Sequence, residues 1–563
     1  MSTVPPRSGG QAAAEALLAQ GIDHAFCVPG ESFLGLLDAL YDTPAIRVVA
    51  TRHEGAAAFM AEAYAKASGR LALCMATRGV GATNLSIGVH TALQDSTPLL
   101  AILGQVNRSF RQREAFQEVD LVAMFRPLAK WAVEVDSADR LPELIHRAAQ
   151  IAVAGRPGPV VLSLPQDVLT ETTAAPVWPM ARAPRARPAA ADVDAAIDML
   201  LSAERPAILV GGGLRDAAAL AELAELLETP VAAAWRRGDR FPNAHRLYIG
   251  MTGLAAPPSL LPRLMAADAL LVIGSRLSEN ASYGYQLPAR ATRVAQIDAE
   301  PNQIGYNYPP AVAMACDAGL AVEDLLAAAR RAPLPAETRA ARRASNDAAR
   351  ARYIAETTPR QVRSASPVDY EGAIADIVAA IPPEAIVVSD VGNFAGWLSR
   401  YVRFAAPRSF IAPTSGAMGY GIPAAIATKL AHPGRPVIAC CGDGSLMMTL
   451  PELETAVRAR ANIVVLVFDN QMYGTIRMHQ ELDYPGRVVG TDLATPDLAA
   501  TAESFGALGL TVRDNAELPA ALAAALAADR PALIHMHMDP AQIAVGRRLE
   551  RSPAGIDTAS RIR

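Results

Sequence analysis

"RPVIACCGDGSLMMTLPELETAVRARANIVVLVFDNQMYGTI", residues 435–476, holds two buried strands and the polar residues that end them. "PVIACC" is a continuous apolar run, and Gly442-Asp443-Gly444-Ser445 follows at its carboxyl end. "LPELETAVRA" reads as a helix, with Pro451 in a first turn where its missing N–H costs nothing. "NIVVLVF" is the next buried strand, closed by Asp469-Asn470. Strand, helix and strand in that order predict neighbouring parallel strands. Asp443 and Asn470 then sit together at the carboxyl ends, where open α/β sheets bind ligands.

A hard divalent cation such as Mg²⁺ wants oxygen ligands in an octahedron. The Asp443 carboxylate, the Asn470 amide oxygen and the backbone carbonyl near Met472 supply three; phosphate oxygens and water would supply the rest. Gly442 and Gly444 let backbone approach a phosphate closely, and Ser445 opens a helix whose free N–H groups favour an anion. Taken alone, "GDGS" could be a plain turn and "DN" another. Together they predict a site for Mg²⁺ and a diphosphate.

Outward from this stretch, strand-like runs alternate with alanine- and leucine-rich helical runs, the rhythm of parallel sheets covered by helices. Two stretches break it. "ETTAAPVWPMARAPRARPAA" (residues 171–190) is a Pro- and Ala-rich linker, and residues 330–368 hold a polar, arginine-rich helix with prolines at both ends. The expected fold is therefore α/β, with three doubly wound parallel-sheet domains over residues 10–170, 190–330 and 367–545. A chain of 563 residues that is 51% hydrophobic and 19% charged can fill several such cores.

A net charge of −4 with both signs dispersed gives no footprint for nucleic acid or an anionic membrane. The N-terminus shows no leader pattern and no apolar run approaches a bilayer span. Five cysteines without a Cys-x-x-Cys pair point to reduced, buried thiols in a cytoplasmic protein.

"GIDHAFCVPGESFLGLLDAL", "RHEGAAAFMAEAYAKASG", "GATNL", "LQDSTPLLAILGQV", "AFQEVD", "GRPGPVVLSLPQDV", "SGAMGYGIPAAI" and the "GDGS…DN" pair resemble the acetolactate synthase family of thiamine diphosphate enzymes and, more loosely, its decarboxylase and carboligase relatives. The resemblance covers residues 12–170, 190–330 and 367–540, most strongly in the first and third domains. It implies a pyrimidine-binding first domain, a central domain and a diphosphate-binding third domain. It makes Glu54 of "RHE" the acid that hydrogen-bonds N1′ of the cofactor's aminopyrimidine, whose 4′-nitrogen then takes the proton from C2. Met418 matches the bulky residue under the bent cofactor, and the Gly416 carbonyl the acceptor for the 4′-amino group. Gly30, Gly392, Asn393, Gly442, Gly444, Ser445, Met472, Tyr473 and Gly474 complete the implied cofactor contacts, with Asp443, Asn470 and Met472 around the metal. In the family the two half-sites meet across a subunit boundary, which implies a homodimer at minimum and commonly a homotetramer.

Around the reacting carbon, Phe116 and Gln117 of "AFQE" match pocket residues of the synthases, and Lys130 matches a lysine near the acceptor, against a core role for Phe116 and a plain solvated charge for Lys130. Glu31 of "VPGESF" is an acid where synthases usually carry a small residue. It reads equally as a proton donor that would release an aldehyde and as a helix cap. Other departures are His479 in place of a tryptophan, Asn393-Phe394 in place of Gln-His, and "TRGVG" in place of "TSGPG", which brings Arg78 to the cleft. Arg78, Arg477 and His479 are candidates for a substrate carboxylate, against simple surface solvation. The central "ILVGGGLRD" and Asp298 could hold a nucleotide such as FAD, yet "SRLSEN" and "MTGL" depart from the family's "ARFDDR" and "MHGT", favouring a structural domain. The expected reaction is decarboxylation of a 2-oxo acid with carboligation to a second carbonyl. The alternatives are a non-ligating decarboxylase, a non-catalytic relative, or an unrelated Mg²⁺-phosphate enzyme.

Overall fold

Three six-stranded parallel sheets, each covered by helices, carry the chain in the computed structural model, which describes residues 5–180 and 183–549. The first four residues, part of the leader reading, and residues 181–182 of the Pro-rich stretch lie outside the described residues.

In the first sheet the spatial order is Arg47–Ala50, His24–Cys27, Ala72–Thr77, Leu99–Gln105, Pro159–Pro165, Trp131–Glu134. In the third it is Phe410–Ile411, Ile386–Ser389, Val437–Gly442, Val464–Asp469, Ala532–His537, Leu508–Val512. Numbered along the chain within each sheet, both orders are 2-1-3-4-6-5. The middle sheet runs Tyr248–Met251, Val231–Ala233, Pro206–Val210, Ala269–Ile273, Arg293–Asp298, Val312–Ala315, the order 3-2-1-4-5-6. The first and third sheets thus reverse direction between their strands 1 and 3, which opens a crevice at the carboxyl ends of those strands.

The central strands read as unbroken apolar runs because helices cover both faces. Leu99–Gln105 and Val464–Asp469 are buried at every residue. Small residues let the covering helices come close. Helix Glu54–Ser68, "EGAAAFMAEAYAKAS", is buried nearly all round between helices Arg78–Asp95 and Gly421–Ala431. A Cβ at Gly88 would stand 2.2 Å from that of Ala58, so this crossing admits nothing larger than glycine.

Buried charges tie the three domains together at the same place. Glu62 accepts from Thr97 at 2.7 Å and from Tyr420 at 2.6 Å, and pairs with Lys66 at 2.8 Å. Asp95 pairs with Lys66 at 3.2 Å and with Arg237 of the central domain at 2.6 Å. Burial works to raise the Asp95 carboxyl, but the two cations outweigh it and hold it at about 2.

The arginine-rich segment forms helix Ala336–Glu356, which lies on the central domain. Arg342 donates to the Leu227, Leu200 and Ala203 carbonyls at 2.7, 2.8 and 2.6 Å, and so caps helices that end beneath it. All five cysteines are unpaired and buried. Among the described residues no helix is long and apolar enough to cross a membrane.

Candidate active site

The loops after strands 1, 2 and 3 of the first sheet carry Gly30-Glu31, Glu54 and Arg78. The matching loops of the third sheet carry Gly392-Asn393, Gly416–Met418 and Asp443, and Asn470 follows its strand 4. Two equivalent crevices therefore present the residues singled out in the sequence.

Glu54 is the first residue of its helix, and the cap is His53, whose Nδ1 accepts the Gly55 N–H at 3.0 Å. The Glu54 carboxylate is thus free of capping work. Its Oε2 accepts from Asn84 Nδ2 at 2.9 Å, and a Cβ on Gly81 would lie 3.3 Å from Oε1. Lying over the first turns of helix Arg78–Asp95, the half-buried carboxylate meets the positive end of that helix. Behind it, Glu452 of the third domain accepts the backbone N–H of Arg52 at 2.9 Å and of His53 at 3.1 Å, and the Thr455 hydroxyl at 2.7 Å. Neither Asn84 nor Glu452 stood out in the sequence. Asn84 lies within "GATNL", but nothing local marks its partner.

Asp443 is almost fully buried. Burial, then the nearby charge of Asp469, pushes its carboxyl up to about 7. Thr495 Oγ1 stands 3.2 Å from both Asp443 Oδ2 and Asp469 Oδ1. Burial also works to raise Asp469, but a 2.7 Å hydrogen bond from His535 Nε2 keeps it low, so Asp469 is committed to His535. Asn470 Oδ1 accepts the Met472 N–H at 3.3 Å in a tight turn that brings the Asn470 amide and the Met472 carbonyl to the same strand end as Asp443. A buried carboxylate whose charge is unfavourable, beside two neutral oxygens, is a donor set that fits a hard cation. A Cβ on Gly444 would strike the Tyr473 ring at 2.7 Å, so that glycine is needed for packing as well as approach.

The "SGAMGYG" loop is strapped from below. Asp390, fully buried, accepts the Gly419 N–H at 3.1 Å and the Gly421 N–H at 2.8 Å, and Thr449 donates to the Gly419 carbonyl at 2.9 Å. Burial lifts the Asp390 carboxyl to about 6 against these hydrogen bonds. Gly416 and Gly419 have φ of +74° and +82°, the left-handed region where glycine is unstrained. A Cβ at Gly416 would meet nothing within 4 Å, and Met418 is half-buried, so the upper side of the loop faces a cradle.

Several of the residues singled out in the sequence also make contacts within the protein. Helix 443–446 is a single turn, and the longer helix begins at Glu452 with Pro451 at its cap. The Ser445 hydroxyl closes back on Gly442 at 3.1–3.2 Å, because the turn needs its own donor and acceptor. The Asn393 side chain is engaged at both ends, donating to the Ile543 carbonyl at 2.8 Å and accepting from Thr475 at 2.9 Å. Lys130 donates to the Ile151, Ala154 and Arg156 carbonyls at 2.5–2.8 Å and so caps the end of helix Leu141–Val153. Arg477 is buried against Glu481 at 2.8 Å, and His479 is exposed. Glu31 caps nothing: the short turn it opens has Gly30 at its cap, and no side chain bonds that end. Phe116 is 72% exposed, and Gln117 has φ +63° with its carbonyl accepting the Gly79 N–H at 3.0 Å.

At the switch point of the central sheet the "GGG" turn packs on Gly274: a Cβ on Gly211 would lie 2.3 Å from the Gly274 carbonyl oxygen. The adjoining cavity, about 230 Å³, is lined by six arginines, among them Arg156, Arg240 and Arg276, and by Asp95, Asp298 and Asp317.

Models of thiamine pyrophosphate enzymes match this chain in three parts: the N-terminal TPP binding domain over residues 7–124, the central domain over 193–325 and the C-terminal TPP binding domain over 390–536. A probable acetolactate synthase large subunit of Methanocaldococcus jannaschii is 31% identical, covering 95% of this chain and 92% of its own length. The chain belongs to the acetolactate synthase family of thiamine diphosphate enzymes. Within this family, acetolactate synthase isozyme 1 large subunit of Escherichia coli is 32% identical, with 92% of each chain covered. A sulfoacetaldehyde acetyltransferase of Rhodobacter capsulatus is 34% identical over 92% of this chain and 91% of its own. Like these relatives, the chain is a thiamine diphosphate-dependent enzyme of the transferase or lyase type.

Proposed function

We propose that the chain decarboxylates a 2-oxo acid and joins the remaining fragment to a second carbonyl compound. One observation carries this reading. Two sheets of identical strand order present an acid held by Asn84 and free of capping work, Glu54, at one crevice and the Asp443–Asn470 oxygen pair at the other.

Bound thiamine diphosphate supplies a nucleophilic carbon and an electron sink. Asp443, the Asn470 amide and the Met472 carbonyl would hold Mg²⁺, with Gly442 and Gly444 alongside the diphosphate. Gly416 and Met418 would support the cofactor from the strapped loop. Glu54 would hold the proton at N1′, oriented by Asn84. Phe116 and Gln117 would line the acceptor side, and Glu31 stands at the end of strand 1 with a free carboxylate to deliver a proton. The relatives are named as acetolactate synthases and a sulfoacetaldehyde acetyltransferase, which favours carboligation. The free Glu31 carboxylate favours the alternative, aldehyde release.

A second copy would close the site. Val80, Phe116 and Val119 on the Glu54 side, and Met447, Met448 and Ile476 on the Asp443 side, are large apolar residues left exposed. We propose a homodimer as the minimal active unit, assembling as a homotetramer in the cytoplasm. The central cavity, lined by six arginines and by Asp95, Asp298 and Asp317, could take an anionic nucleotide such as FAD, although the departures at "SRLSEN" and "MTGL" favour a structural domain; a flavin absorbance spectrum on the purified protein checks it.

Product analysis tests the reaction. With thiamine diphosphate and Mg²⁺, a panel of 2-oxo acids is scored for CO₂ and for coupled product, alone and with added aldehyde. Coupled product in step with CO₂ supports carboligation, and free aldehyde in its place supports the alternative. Absence of CO₂ release from every donor would overturn both.

A further inference from the structure

The crevice of the first sheet holds a second charged group. Arg78 opens the helix after Ala72–Thr77, as Asp443 opens the one after Val437–Gly442. Where the third sheet offers a carboxylate, the first offers a guanidinium, at a position written as serine in the family's "TSGPG". Its backbone sits at φ +23°, a sparsely populated conformation of the kind that persists at functional sites.

The Arg78 guanidinium is poorly satisfied. Nη1 donates to the Phe116 carbonyl at 3.3 Å and Nη2 to Gln166 Oε1 at 3.2 Å, both long for a charged donor, and Nε is buried without a partner. Among the described residues no carboxylate pairs with it. Arg113, exposed across the same opening, also has no acid partner there. Their neighbours differ: Arg108 is paired with Asp167 and Glu171, and Arg111 with Glu118 and Glu134. The two unneutralised arginines, with Asn107, Gln166, Phe110 and Phe116, line an open cavity of about 330 Å³.

We propose that this cavity is an anion subsite that receives the distal carboxylate or sulfonate of a substrate whose carbonyl reacts beside Glu54. The inference rests on the 2-oxo acid reading above. Arg78 stands three residues before Gly81, about 4.5 Å along the helix axis, and Gly81 is where Glu54 Oε1 lies. A short acyclic chain bridges that span. Its oxyanion meets the planar fork of an arginine, and its methylenes lie between two exposed phenylalanine rings.

The test uses the full-length protein with thiamine diphosphate and Mg²⁺. kcat/KM is compared for 2-oxoglutarate against 2-oxopentanoate as donors, and for succinic semialdehyde and 3-sulfopropanal against butanal as acceptors. The anionic member of a series should win by tenfold or more. R78M and R113Q should each lower that anionic-to-neutral ratio by roughly 10- to 100-fold, with R78K recovering part of it. R113Q guards against misfolding at the strained Arg78. Preference for succinic semialdehyde or for the sulfonate supports the subsite and names its oxyanion. An unmoved ratio in both variants, or a wild-type preference for neutral chains, overturns it. Calorimetric binding of glutarate separates the two readings. If it depends on both arginines while no 2-oxo acid turns over, the subsite stands and the carboligase reading falls. If turnover is normal and glutarate does not bind, the subsite falls.

Discussion

The carboxylate of Glu452 accepts the backbone N–H of His53 at 3.1 Å, so the third domain grips the residue just before Glu54. Glu452 is only 1% exposed and also serves Arg52 and Thr455. It acts as a positioning residue. Glu452→Ala strands buried donors, at a cost of about 1–3 kcal/mol each, and lets the Glu54 loop shift. We expect kcat to fall by about 10- to 100-fold while cofactor affinity changes little, because a misplacement of about 1 Å has that effect. Glu452→Gln keeps one acceptor oxygen and should recover part of kcat. An equal loss in kcat and cofactor affinity would assign Glu452 a purely structural role.

Glu54→Gln keeps the shape and the Asn84 contact but removes the ionisable group. The variant should bind thiamine diphosphate normally and lose about 10²- to 10⁴-fold in turnover, the range for a positioned acid–base group. Exchange of the cofactor C2 proton, followed by NMR, should slow in parallel. Normal exchange would remove the assigned role.

Helix packing sets where Glu54 stands. A Cβ at Gly88 would lie 2.2 Å from that of Ala58 and 2.9 Å from its carbonyl carbon, neither of which can yield. Gly88→Ala should therefore cost about 1–3 kcal/mol, a drop of several degrees in the melting temperature. Gly434→Ala, in a turn where the added carbon meets nothing within 4 Å, is the control and should melt like the wild type.

The placement of the residues proposed for the two half-sites was legible because their chemistry is written locally. "GDGS…DN" puts oxygens at strand ends, and "RHE" puts an acid at a strand–helix junction. The shared 2-1-3-4-6-5 order was not legible, since alternation of strands and helices does not state which strand neighbours which. Glu452 and His535 were missed for a related reason: each acts on a residue far away in the chain, His53 and Asp469, and each looks locally like an ordinary helix or strand residue. The carbonyls that Lys130 and Asn393 bond were not legible either, because a polar residue near a motif can equally serve a helix end or a loop.

Under the proposed function, Glu31 is the residue that would separate the two product classes. Glu31 is exposed, follows the loop after strand His24–Cys27, and caps nothing among the described residues. If it delivers the proton that releases an aldehyde, Glu31→Gln should cut the aldehyde fraction by about tenfold or more, leaving the rate of CO₂ release and cofactor binding nearly as they were. A product ratio identical to the wild type would take Glu31 out of the chemistry.

If Asp443 holds the proposed Mg²⁺, its carboxyl, raised to about 7 by burial and then by Asp469, makes cation binding a contest with a proton. Below pH 7 the proton must leave before Mg²⁺ binds, so the apparent affinity should weaken by about tenfold per pH unit and level off above pH 8. Without cofactor the same group acts on stability in the opposite sense. Its folded value lies above the unfolded value near 4, so the native state holds the proton more tightly. The cofactor-free protein should lose stability as pH rises from about 4 to 7, and Mg²⁺ with thiamine diphosphate should reverse that loss. Mg²⁺ titrations of cofactor-dependent tryptophan quenching at pH 6, 7 and 8 check the first statement, and thermal melts across the same range check the second. Asp443→Asn keeps an oxygen and removes the titration: its affinity should be weaker at pH 8 and independent of pH. A wild-type affinity that is flat from pH 6 to 8 would show that Asp443 is already ionised there and would overturn its raised carboxyl, whereas an Asp443→Asn affinity equal to the wild type at pH 8 would take it out of the metal site.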